Sequence, residues 1–79
     1  MSRSVNPKPV QPEFTAVIKE SGRWWIGWIE EVPGVNCQER TREELIEILE
    51  VTLREALEMN RQDARSAAGS DFLEVKIAV

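Results

Sequence analysis

The sequence predicts an α+β domain of order β-β-β-α-β: a mixed four-stranded sheet in the order 3-2-1-4, with one helix packed on one face. Three observations predict it. Two strand-like runs, 14–20 and 23–30, meet at Ser21-Gly22. An apolar stripe at helical spacing begins just after Thr41. Leu73, Val75, Ile77 and Val79 alternate with Phe72, Glu74, Lys76 and Ala78, a return to period two.

The elements follow in order. Residues 1–12 hold Pro7, Pro9 and Pro12, so amide donors are scarce and extended, solvated backbone is expected. This stretch reads as a flexible arm, and 13–79 as a single domain. Phe14 to Glu20 and Arg23 to Glu30 read as a hairpin, because a tight turn needs the positive φ that Gly22 supplies. Aromatic and β-branched side chains in the second run favour a strand. Glu31-Val32-Pro33-Gly34 turns the chain, and Val35 to Arg40 reads as a short third strand.

Thr41 opens the helix. Its hydroxyl is placed to cap the amide of Glu44, whose carboxylate is placed to reach back, as in a capping box. Leu45, Ile48, Leu49, Thr52, Leu53, Ala56 and Leu57 recur at steps of three and four and form one stripe. Glu43, Glu47, Glu50, Arg54, Glu58 and Arg61 fall opposite, as a solvated face. The helix is expected to end between Arg61 and Ala68, with Gly69-Ser70 as the exit. Leu73, Val75, Ile77 and Val79 then predict a fourth strand, reached by a right-handed crossover and parallel to the first.

Hairpin register sets the two faces. With Glu20 and Arg23 flanking the turn, Val17 opposes Ile26 and Ile18 opposes Trp25, and opposed residues share a face. Phe14, Ala16, Ile18, Trp25, Gly27 and Ile29 carry no charge and are assigned to the core. Gly27 would let the helix approach closely. The other face presents Val17, Trp24, Ile26 and Trp28 beside Thr15 and Lys19. Two tryptophans alone offer roughly 300–500 Å² of burial, and monomers rarely leave such a patch in water. This face is the candidate surface for self-association or a partner. The alternatives are that the arm folds over it, or that the register slips by one residue and exchanges the faces.

Composition narrows the chemistry. The chain has 79 residues and no His, so His-based acid–base catalysis, Ser-His-Asp triads and His-ligated metals are excluded. Cys37 is the single cysteine, which excludes an intrachain disulfide and a four-cysteine zinc site. The carboxylates Glu13, Glu20, Glu30, Glu31, Glu39 and Glu74 are scattered rather than convergent, unlike a metal-dependent nuclease. The four glycines are isolated, so no phosphate loop is present. No catalytic residue, cofactor or metal is expected. The longest uncharged run, Val32 to Gln38, is too short to span a bilayer, and no signal peptide is visible, so a cytoplasmic location is expected. Net charge is −4, with the only positive segment in residues 1–12. Acidity disfavours phosphate-backbone binding and suits a basic protein partner.

The strings WWIGWIEEVPG (24–34), VNCQERTREEL (35–45) and LIEILEVTLREAL (45–57) resemble the HicB-like antitoxin family. Trp25, Gly27, Val32-Pro33-Gly34, Thr41, Glu43 and Glu44 match its pattern. Glu30 stands where relatives often carry Pro, Glu39 where they carry Gly, and Leu45 where they carry Ala. The resemblance implies a truncated ribonuclease-H-like fold. It also implies a non-enzymatic bacterial protein that neutralises a small basic HicA-type RNA-cleaving toxin by direct contact. Many relatives add a C-terminal DNA-binding domain; this sequence has no segment for one, so direct DNA binding is not expected from it. Self-association as a dimer or tetramer through the Trp face completes the expectation. Two other readings are an orphan interaction domain without a toxin, and an RNA-binding module that stacks bases on exposed Trp.

Overall fold

The computed structural model describes residues 13–78. The expected arm, 1–12, and the last expected strand residue, Val79, lie outside them. Three strands and one helix form the domain: β1 (Ala16–Ser21), β2 (Trp24–Ile29), β3 (Asn36–Glu39) and α1 (Arg42–Ala68). The sheet is antiparallel in the order β1-β2-β3.

The hairpin closes one residue later on each strand than the sequence suggested. Ser21 pairs with Trp24, and Gly22-Arg23 makes the turn. Gly22 has φ +64 and Arg23 does not have positive φ, the pattern of a turn whose first central residue must be Gly. Val17 therefore opposes Trp28 rather than Ile26, and Ile18 opposes Gly27 rather than Trp25. The shift is one residue on both strands, so each side chain keeps its expected face.

The core sits between the helix and the inner face of β2. Ile29, Val32, Val35, Leu45 and Leu49 are buried, and Phe14, Ile18, Trp25, Cys37, Ile48, Leu53, Ala56 and Leu57 pack around them. Gly27 is the closest point of approach. Val32 and Val35 are buried on either side of exposed Pro33 and Gly34. Backbone bonds from Ile29 N–H to Val35 O (3.3 Å) and from Val35 N–H to Val32 O (3.4 Å) hold this turn. Gly34 sits at φ +94, a conformation that disfavours other residues. Thr41 caps α1 through its Oγ1, which accepts from Glu44 N–H at 3.1 Å. The return bond from the Glu44 side chain is not formed among the described hydrogen bonds, so the capping box is half made.

The fold class is corrected at the C-terminus. Among the described residues the sheet has three strands, not four in the order 3-2-1-4, and 72–78 join no ladder. The reason is the length of α1. It runs unbroken to Ala68, where Gly69 at φ +79 donates its N–H to the Arg65 and Ser66 carbonyls and ends it. Every residue from Glu58 to Ala68 is exposed, so the last three turns of the helix carry the chain away from the sheet. Asp71, at φ +62, follows Ser70, and Glu74 Oε2 accepts from Arg65 Nε at 2.7 Å. The alternation over 72–78 describes a strand-competent segment; it does not bring an edge within its reach.

Candidate functional site

The open side of the sheet faces away from α1. Val17 and Lys19 come from β1, Trp24, Ile26 and Trp28 from β2, and Asn36 and Gln38 from β3. All four residues singled out for this surface are together on it. Val17 and Trp28 are directly paired, and Ile26 lies between Lys19 and Gln38. Trp24 is 37% exposed, while Val17, Ile26 and Trp28 are half-buried by their neighbours on the sheet. No second layer covers them among the described residues. A shallow depression of about 350 Å³ opens here beside Ile26, Trp28, Asn36 and Gln38, over Gly27 and Cys37.

Arg40 is the member of this surface that sequence reasoning missed. Its guanidinium lies 4.8 Å from the Trp24 ring centroid, a cation–π contact. The signal was available, because 36, 38 and 40 continue the outward alternation of β3 past the end of its ladder. With Arg40 added, this face carries Lys19 and Arg40 and no strand carboxylate; exposed Glu30, the next outward position after Trp28, lies at its far end beside Thr15. Glu20 and Glu39, paired across Trp25, are on the helix side.

The negative charge lies on the other layer. Glu43, Glu44, Glu47 and Glu50 are exposed on the first turns of α1. A second shallow depression, about 310 Å³, is lined by Glu39, Glu44, Glu47, Ile48 and Val51. It combines carboxylates with apolar floor, a surface suited to basic side chains with aliphatic stems. Further along, Glu50 pairs with Arg54 and Glu58 with Arg61, which screens the acidic character of the later turns. Hydrogen bonds from Arg61 and Gln62 hold the Glu58 carboxyl below its ordinary pKa.

The remaining chemistry is structural. The Cys37 thiol donates to Thr52 Oγ1 at 3.6 Å on the helix side of β3. Glu31 Oε1 accepts from the Thr15 amide at 2.8 Å, which lowers the Glu31 pKa and ties the turn after β2 to the start of β1. Among the described residues no group of three acidic or thiol side chains converges to hold a metal ion. No helix among them is long and apolar enough to cross a membrane.

No family model, curated protein or solved structure matches the chain. Its reading rests on its own residues.

Proposed function

We propose that this chain is a non-enzymatic protein-binding domain of the HicB-like antitoxin type, which neutralises a small basic HicA-type RNA-cleaving toxin. The observation that carries the reading is the separation of two surfaces on one small sheet. The open face is aromatic and cationic. The first turns of α1 and the adjoining β3 edge are acidic.

A basic toxin is attracted to the acidic surface and repelled by Lys19 and Arg40, so the helix side is assigned to the toxin. The Trp face is then left for contact between copies. Val17, Trp24, Ile26 and Trp28 bury apolar area there, and the resemblance over 24–57 supports the antitoxin reading. The runner-up is an RNA-binding module. It is favoured by one feature, the pairing of Trp24 and Trp28 with Lys19 and Arg40 on a face free of strand carboxylates, which is what base stacking and phosphate contact need.

The test is native mass spectrometry of the tagged chain isolated from its own host. A small basic protein in fixed ratio, with ribonuclease activity that returns when the complex is dissociated, supports the antitoxin reading. Its association with the chain slows as salt is raised and slows further in Glu47→Lys. A homo-oligomer with nothing bound supports an orphan interaction domain. Quenching of Trp emission by single-stranded RNA at low salt supports the RNA-binding module instead.

A further inference from the structure

The C-terminal segment is the least satisfied part of the described chain. Leu73, Val75 and Ile77 are 90%, 75% and 82% exposed, and they alternate with Glu74 and Lys76. One apolar edge and one charged edge is the pattern of a strand laid over a core. No strand pairs with it.

The sheet has the complementary vacancy. Among the described residues the outer edge of β1 is unpaired, and an unpaired edge is a template for another strand. Beside that edge runs an apolar groove of about 260 Å³, lined by Ala16, Ile29, Ile46, Leu49, Glu50 and Leu53. It exists because α1 packs over β2 and β3 rather than over β1. Ile46 is left 39% exposed on its wall.

The segment cannot place all three of its apolar residues in the groove of its own chain: fully extended from Ala68, Val75 only just comes level with Leu53 and Leu73 stays short of it. Glu74 is held at Arg65 by the 2.7 Å bond. From Arg65 back to Leu53 the helix spans about 18 Å, and to Ile46 about 28 Å. From Glu74 the three residues to Ile77 reach about 10 Å when fully extended. Even freed from Arg65, Leu73 lies within about 18 Å of Ala68, short of the roughly 22 Å to the level of Leu53. Leu73, Val75 and Ile77 therefore cannot lie together beside Ile46 and Leu53 of the same molecule. A second copy has no such limit.

We infer that two copies of this chain exchange their C-terminal segments, the 73–77 strand of each adding to the outer edge of β1 of the other. Each chain keeps its own three-stranded sheet, and the added strand comes from the partner. Leu73, Val75 and Ile77 enter the groove, while Glu74 and Lys76 lie on the side that carries Lys19. Identical segments exchanged about a two-fold axis give a closed dimer, and main-chain bonds to an open edge supply the adhesion. The released Arg65–Glu74 pair is exposed and holds little. The inference does not rest on the antitoxin reading, because neither the Trp face nor the acidic surface takes part.

The experiment uses the full chain in two isotope pools, one carbon-13-labelled and one deuterated with nitrogen-15. They are unfolded together, refolded and examined by filtered nuclear Overhauser spectroscopy. Contacts between 73–77 of one pool and Ala16–Glu20 of the other are expected. Of Val75→Pro and Lys76→Pro, the one whose N–H faces the ladder is expected to weaken the dimer about tenfold or more. Both leave the monomer folded, since 72–78 join no ladder within one chain. A monomeric wild type overturns the inference. So do contacts confined to a single molecule, or a dimer whose contacts run only through Trp24 and Trp28. Loss of toxin binding leaves these readouts unchanged, so the two readings fail separately.

Discussion

A Cβ on Gly27 would stand 3.1 Å from Cδ1 of Leu49, so the helix and the central strand touch where the strand has no side chain. The same Cβ would meet Ile18 Cγ2 at 2.9 Å and the Val17 carbonyl at 3.0 Å. Two of these neighbours are flexible side-chain ends, but the carbonyl belongs to the paired strand and cannot turn aside. Leu49 is 2% exposed and belongs to the buried core.

Gly27→Ala is therefore expected to destabilise the domain by about 1–3 kcal/mol, as overpacking does. That outweighs the stiffening of the unfolded chain that Ala normally contributes. Urea denaturation followed by Trp fluorescence measures it. An unchanged or higher midpoint would show that the helix moves off the strand without cost.

The helix cap separates into two halves. Thr41 Oγ1 accepts from Glu44 N–H, whereas the Glu44 carboxylate makes no return bond among the described contacts. Thr41→Ala is expected to cost about 1 kcal/mol. Glu44→Ala is expected to cost less, because with no return bond only its charge near the helix N-terminus is lost. Equal losses in the two variants would mean that the reciprocal bond forms in solution.

Much of this architecture was legible in the sequence, and the misplaced fourth strand has a physical cause. Local chemistry announced itself: Gly22 at the hairpin, Pro33-Gly34 in the turn, Thr41 at the cap, and the Leu45–Leu57 stripe that became the helical half of the core. The assignment of Trp24, Ile26 and Trp28 to one side also holds, because period two needs no knowledge of the partner strand. What failed was distance. Alternation at 73–77 marks a strand, but only the continuation of α1 to Ala68 decides whether β1 of the same molecule is within reach. Arg40 is different: period two already places it with Asn36 and Gln38, and only its contact with Trp24 depends on the ladder between β2 and β3.

The Arg65–Glu74 pair gives the C-terminal segment a pH signature. The hydrogen bond from Arg65 holds the Glu74 carboxyl below its ordinary pKa, and its charge adds to the effect. A depressed folded pKa means that the pair's contribution is present above the ordinary carboxylate range. It is lost as pH falls through the lowered value. In the dilute monomer, carboxyl-detected titration of Glu74 is expected to show the lowered midpoint, which Arg65→Ala restores and which is lost in the exchanged dimer, where the pair is released. A midpoint at the ordinary value in the monomer would mean that the segment does not rest on α1.

The open face yields the most discriminating variant. Trp24 and Trp28 lie on the same side of β2 with Ile26 between them, and Val17 faces Trp28 across the ladder. Placing Glu at both positions removes most of the aromatic area and sets carboxylates where two copies would meet. The carboxylate at position 24 also lies beside a cation, Arg40, while the one at position 28 faces Val17 and Asn36. The fold should survive, because neither Trp belongs to the buried set around Leu45 and Leu49. Trp24→Glu with Trp28→Glu is expected to lower the assembly mass in analytical ultracentrifugation, with the helical circular dichroism signal retained. Contact between copies through this face needs the apolar area, and charge repulsion across the new surface opposes it. An unchanged mass would remove the face from the assembly and return the runner-up, base stacking on Trp24 and Trp28, to first place for this surface.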